Sequence, residues 1–131
     1  MEKSLVKAYE MMRSSQRILF VAHLRPDGDA LSSVLALRLI AAELGKESFI
    51  FCKDKNPELF DYLPGFSNIH GSLESLQQAI GQTENWYQYF DLIVVADCGS
   101  LARTALVEEI KAFKRHGGKI IEFDHHPRID D

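Results

Sequence analysis

Four short apolar segments limit the fold of this chain more than any other feature, because each has the length of a buried β-strand. They lie at Arg17–Ala22, Ser48–Cys52, Asp91–Ala96 and Lys119–Phe123. Stretches with apolar residues at helical spacing alternate with them, namely an opening helix around Leu5, Tyr9 and Met12, then Asp29–Leu44, then Leu101–His116. Short hydrophobic strands joined by helices pair in parallel through right-handed crossovers. The sequence therefore predicts an α/β fold with three layers, built on a doubly wound, mainly parallel sheet.

The stretch Lys53–Phe90 has a less regular pattern. Its turn and helix signals predict a short helix from Asn56-Pro57, a turn at Leu63-Pro64-Gly65 and a further helix over Ser72–Ile80. Clustered aromatic side chains can stack nucleobases, but they more often pack against one another. We therefore expect packing from the aromatic residues at its end, which are Trp86, Tyr87, Tyr89 and Phe90.

Composition excludes several classes of protein. The chain has 131 residues, of which 46% are hydrophobic, and a net charge of −4, which is not the composition of a disordered chain. The two cysteines, Cys52 and Cys98, form no paired motif, so we expect reduced thiols and a cytoplasmic location. No apolar run approaches the roughly 20 residues of a membrane span, and no secretory signal is evident, so no membrane partner is expected. Mild acidity argues against specificity for duplex DNA.

Polar clusters follow three of the four predicted strands. His23, Asp27 and Asp29 come after the first strand, Asp97 after the third, and the triplet Asp124-His125-His126 after the fourth. Each cluster alone has a structural interpretation, such as a turn or a helix cap. Because the carboxyl ends of parallel strands meet at one edge of a sheet, we expect all three clusters to lie there.

Carboxylates gathered at one edge repel each other unless a cation lies between them. Mixed carboxylate and imidazole ligands favour Mn²⁺, with Mg²⁺ as an alternative and Zn²⁺ less suited. Two metal ions about 3.5–4 Å apart need a bridging ligand. Asp97, at the end of a central strand, is well placed to bridge.

Three sequence motifs resemble those of the DHH phosphoesterase family. They are HLRPDGDALSS (His23–Ser33), VVADCGS (Val94–Ser100) and DHHP (Asp124–Pro127), in the family's order. The first most resembles the branch of nanoRNases and phosphatases of adenosine 3′,5′-bisphosphate, which is related to the RecJ-like exonucleases. The resemblance covers residues 1–131 and implies a Rossmann-like N-terminal catalytic domain.

The resemblance also implies a role for each motif residue. His23 and Asp27 would bind a first metal ion, Asp29 and His125 a second, and Asp97 would bridge the two. His126 would contact the scissile phosphate, and Asp124 would orient a histidine, which makes His126, Asp97 and Asp124 the candidate catalytic residues. Arg103 and Arg25 are candidate phosphate ligands, although a solvated arginine is the more common role at such positions.

The chain departs from the family pattern in two respects. Ser32 stands where the first motif usually has glycine, at a position that binds no metal. The family's fourth motif, whose aspartate completes the second metal site, and its C-terminal substrate-binding domain are absent. We therefore expect a fragment of a longer protein, with one metal bound well, the other poorly, and little turnover.

The function implied is that of a Mn²⁺-dependent phosphoesterase. It would hydrolyse short single-stranded oligonucleotides, as an exonuclease or oligoribonuclease, or small nucleotides such as adenosine 3′,5′-bisphosphate, through hydroxide formed from metal-bound water. Two alternatives stay open at this point. One is an inorganic pyrophosphatase or exopolyphosphatase, and the other is a non-catalytic module that binds metal or nucleotide. A homodimer also stays open.

Overall fold

A computed structural model describes residues 2–23, 28–53, 55, 57–96 and 104–123. Within them the sheet has five strands, all parallel. The strands are β1 (Arg17–Ala22), β2 (Glu47–Phe51), β3 (Ile69–His70), β4 (Leu92–Ala96) and β5 (Lys119–Phe123). They lie side by side in the order β3-β2-β1-β4-β5. The predicted parallel α/β sheet is therefore confirmed.

Helices cover both faces of the sheet. They are α1 (Glu2–Arg13), α2 (Gly28–Glu43), α3 (Pro57–Phe60), α4 (Leu73–Ile80) and α5 (Val107–Arg115). Alternate side chains of β1 face opposite layers, so that Ile18 and Phe20 pack with α1 and α2, whereas Leu19 and Val21 pack with α4 and α5. The result is the predicted three-layer arrangement.

The central strands are buried on both faces, which explains their nearly continuous apolar sequence. Every residue of β4 and the last five residues of β1 are buried. The aromatic residues near β4 pack as expected: Trp86 and Phe90 are buried in the core on the α4 and α5 side, in edge-to-face contact with each other.

The segment between β2 and β4 contains the predicted local elements. Pro57 is the first residue of α3, where its fixed φ suits a helix and no amide hydrogen is needed. Ser72 caps α4, since its Oγ accepts a hydrogen bond from the Ser75 amide at 3.2 Å. Gly65 adopts φ 85° in the turn before the 3-10 segment Phe66–Asn68.

Two features differ from the sequence prediction. The helix expected over Leu101–His116 is α5, which begins only at Val107. Ala105 has a left-handed φ of 65°, which a right-handed helix cannot include, and residues 101–103 lie outside the described part of the chain. The sequence also gave no sign of β3, which has only two residues.

Side chains close the amino ends of the strands. Asp91 accepts hydrogen bonds from the backbone amides of Gln16 and Arg17, both at 2.9 Å, and so joins the starts of β1 and β4. Tyr89 donates a hydrogen bond to Glu47, which raises the pKa of the Tyr89 hydroxyl. The Arg17 guanidinium lies 4.2 Å from the centre of the Tyr89 ring.

No helix in the described ranges is both long and apolar enough to cross a membrane.

Candidate functional site

Three strands end at the same level of the sheet. The register pairs Ala22 of β1 with Ala96 of β4, and Ala96 with Phe123 of β5. In the sequence, the next residues are His23, Asp97 and Asp124, each within one of the three motifs. The sheet therefore leads all three motifs out at one edge, as the sequence predicted.

This edge, formed by the carboxyl ends of the strands, lies where the strand order reverses. From β1 the chain proceeds to β2 and β3 on one side, while β4 and β5 lie on the other. In open α/β sheets, ligands bind outside the carboxyl ends of the strands at such a reversal. The first and second motifs follow β1 and β4, the two strands that border the reversal, so the topology marks the same position as the motifs.

His23 is the predicted metal ligand that the structure describes most fully. It follows β1 directly and the residue is 4% exposed. Its carbonyl oxygen accepts a hydrogen bond from the Cys52 thiol, with 3.4 Å between the sulfur and the oxygen. Cys52 is fully buried beyond the end of β2. This contact fixes the backbone at the point where the first motif leaves the sheet.

Helix α2 begins inside the first motif. Its first residue is Gly28, so Asp29 lies in the first turn, where the helix dipole favours a negative charge. Phe60 of α3 lies against this helix start, because a Cβ built on Gly28 would be 3.7 Å from the Phe60 ring. Helix α3 therefore borders the edge at which the motifs emerge.

Most of the predicted site residues lie outside the described residues. These are Arg25, Asp27, Asp97, Arg103, Asp124, His125 and His126, together with the side chain of Asp29. In the part of the chain that is described, no group of three or more His, Cys, Asp or Glu side chains lies close enough to hold a metal ion. The individual ligand assignments therefore stay predictions.

Sequence reasoning did not predict the polar contacts beside this edge. The Lys55 ammonium donates to the Ile69 carbonyl at 2.7 Å, and burial lowers the pKa of Lys55. His70 and Ser75 form a hydrogen bond of 2.7 Å between Nδ1 and Oγ. Burial lowers the pKa of His70, and the nearby charges of Lys55 and Arg38 lower it further. These contacts hold the short strand β3 in place. In the sequence, the only sign of them is Lys55 itself, in the segment that follows β2.

Comparison with known proteins gives the family. The model of the DHH family, N-terminal domain, matches residues 17–131. The chain is also similar in structure to an exopolyphosphatase-related protein from Bacteroides fragilis, with a TM-score of 0.74 and 21% sequence identity. That similarity covers 100% of this chain and 37% of the other, and it supports the fold alone. No curated protein matches the sequence. Because the family model spans nearly all of the sequence from the start of β1 and includes all three motifs, the chain belongs to the DHH family.

Proposed function

We propose that the chain is the N-terminal part of a Mn²⁺-dependent phosphoesterase that acts on short oligonucleotides or small nucleotides. The observation that carries this proposal is the common level of Ala22, Ala96 and Phe123 at the reversal of strand order. Three segments rich in Asp and His leave the sheet from these residues. Membership in the DHH family supports the hydrolase class.

The donor set fits a pair of divalent ions. His23 and Asp27 would hold one ion, Asp29 and His125 the other, and Asp97 both, with Mg²⁺ as an alternative to Mn²⁺. The burial of His23 keeps competing water from its ring and limits its rotation. Divalent ions in such a site offset the repulsion between carboxylates and lower the pKa of a coordinated water.

The other motif residues would bind and orient the substrate. His126 would contact the scissile phosphate, and Asp124 would orient a histidine ring through a hydrogen bond. Arg25 and Arg103 would neutralise phosphate charge. The Cys52 thiol supports this arrangement indirectly, because it holds the His23 carbonyl.

Titration calorimetry and a hydrolysis assay test the proposal together. We expect the chain to bind Mn²⁺, and a longer protein that contains it to release phosphate or nucleotide from adenosine 3′,5′-bisphosphate or a 5′-phosphorylated dinucleotide, with no release in the presence of a chelator. The His126→Ala variant should bind Mn²⁺ as the parent does and lose hydrolysis. A folded parent chain that binds no Mn²⁺ at millimolar concentration would contradict the proposal.

A second candidate is an inorganic pyrophosphatase or exopolyphosphatase. The observation in its favour is the similarity in fold to the exopolyphosphatase-related protein from Bacteroides fragilis, of which this chain spans 37%. Parallel assays with pyrophosphate and with a dinucleotide separate the two activities. Binding of Mn²⁺ and nucleotide without hydrolysis of either substrate would instead indicate a regulatory module.

A further inference from the structure

Helix α3 and the turn after it have an unusual outer face. Phe60 and Leu63 pack against the core on the α2 side of the sheet. Leu59 and Tyr62 point outward and are 62% and 73% exposed. These two residues are three apart, and the Leu63 amide continues the turn with a hydrogen bond of 3.0 Å to the Phe60 carbonyl. Residues at this spacing on a helical turn are neighbours, so Leu59 and Tyr62 form one exposed apolar patch.

The patch lies beside the first motif. Phe60, next to Leu59 in the chain, approaches a Cβ built on Gly28 to 3.7 Å. Gly28 stands between Asp27 and Asp29, two of the predicted metal ligands. The same segment contacts α2 again about two turns further along that helix, since a Cβ built on Gly65 would lie 3.2 Å from Leu35. A substrate bound at the motif edge would therefore extend next to this patch.

The charges around the patch indicate which part of a substrate it suits. Glu58 and Asp61 are exposed on the same segment, so a phosphate group over the patch would be repelled. Tyr62 makes no hydrogen bond, ion pair or ring contact with any other described residue, and its ring face is accessible. An uncharged, flat nucleobase can cover such a surface by stacking.

We propose that Leu59 and Tyr62 form a stacking platform for one nucleobase of the substrate. The inference rests on the proposed phosphoesterase function and adds a specificity determinant to it. The platform favours substrates that bear a base over inorganic pyrophosphate or polyphosphate, because these consist only of the charged groups that Glu58 and Asp61 repel.

Two other exposed apolar positions supply matched controls. Tyr9 is 44% exposed on α1, and Leu39 is 66% exposed on α2, eleven residues beyond Gly28 and toward the opposite end of that helix. Leu39 therefore lies away from the start of α2 at the motif edge, and Tyr9 lies on a different helix. Replacing them removes side chains of the same types outside the platform.

Calorimetry with two ligands tests the platform. Each variant is titrated in the presence of Mn²⁺ with a 5′-phosphorylated diadenosine and, separately, with pyrophosphate. Stacking on an aromatic side chain is worth about 1–3 kcal/mol per base, so Tyr62→Ala should weaken dinucleotide binding roughly 5- to 150-fold. Pyrophosphate binding should not change. Tyr62→Phe should bind the dinucleotide as the parent does. Leu59→Ala should lose less dinucleotide affinity than Tyr62→Ala. The control variants Tyr9→Ala and Leu39→Ala should lose no dinucleotide affinity.

The outcomes separate this inference from the function on which it rests. Unchanged dinucleotide binding in Tyr62→Ala, with a parent that binds both ligands, overturns the platform and leaves the phosphoesterase proposal intact. An equal loss of both ligands also overturns it, because the segment would then support the whole site or another part of the protein rather than a base. A folded parent that binds neither ligand contradicts the proposed function itself, and the platform with it.

Discussion

Acidic residues occur at both the amino and the carboxyl edge of the sheet, and those at the amino edge already have partners within the protein. At the amino edge, Asp91 already accepts two backbone amides, and Arg17, Tyr89 and Glu47 contact one another. At the carboxyl edge, the strands end at one level and lead into segments with several carboxylates and imidazoles. The two aspartates that flank β4 therefore differ: Asp91 joins strands, whereas Asp97 is a predicted metal ligand.

The described part of the chain also contains a cavity at the opposite, amino edge of the sheet. A cavity of about 640 Å³ opens at the amino edge beside Gln16, Gly45 and Gln88. The charged groups around it are bound to each other or to backbone amides. Strand register and topology point instead to the carboxyl edge as the candidate site, because ligands of open α/β sheets lie there.

The largest expected effect is a loss of Mn²⁺ affinity, and it distinguishes the two aspartates that flank β4. Asp97→Asn should weaken Mn²⁺ binding by more than the roughly 10–100-fold that loss of an outer-shell partner causes, because it removes a ligand charge. Its melting temperature without metal should stay near that of the parent. Calorimetry and thermal denaturation measure the two quantities. Asp91→Asn is the matched control and should bind Mn²⁺ like the parent.

A second prediction concerns packing at the amino edge. A Cβ on Gly118, just before β5, would overlap the Phe113 ring, which is buried in the core. Gly118→Ala should therefore lower the free energy of unfolding by about 1–3 kcal/mol, as overpacking does. Urea denaturation measures it. Adding Phe113→Leu should recover part of the loss, and a simple sum of two destabilisations would contradict the contact.

A third prediction tests how Asp91 joins the strands. Asp91→Ala leaves the amides of Gln16 and Arg17 without their acceptor, and hydrogen bonds to a charged group are worth about 1.5–3 kcal/mol when well shielded. Because Asp91 is exposed, we expect a smaller loss of about 1–2 kcal/mol in the free energy of unfolding. Unchanged stability would show that water replaces the carboxylate fully.

Much of the fold could be predicted because the buried strands are short apolar segments, and such segments can be recognised in the sequence. The segments Arg17–Ala22 and Lys119–Phe123 are the observed β1 and β5, with a polar residue just beyond each. Strand β3 could not be predicted, since two residues carry no periodicity. The start of α5 was wrong because the left-handed backbone of Ala105 has no signature in an alanine.

For the candidate site, the sequence predicted which edge of the sheet the motifs follow, but not the individual contacts beside it. Segments that follow parallel strands leave the sheet at one edge, and the structure shows that the three strands before the motifs end at the same level. The contact between Cys52 and the His23 carbonyl depends on how β1 and β2 align, a non-local property that spacing along the chain does not contain.

The smallest expected effect is a pH dependence beside the carboxyl edge. Burial lowers the pKa of His70, and the positive charges of Lys55 and Arg38 lower it further. In the unfolded chain a histidine titrates near pH 6.5. Below about that pH the unfolded state binds more protons than the folded state, so stability rises with pH in this window and is lost as the pH falls through it. His70→Asn should therefore show a smaller drop in melting temperature between pH 7.5 and 5 than the parent does.

The exposed His116 supplies the control, since His116→Asn should leave the drop unchanged. Equal drops in the parent and in His70→Asn would contradict a cost of charging His70, and the hydrogen bond to Ser75 would then hold β3 equally well with the imidazole in either protonation state.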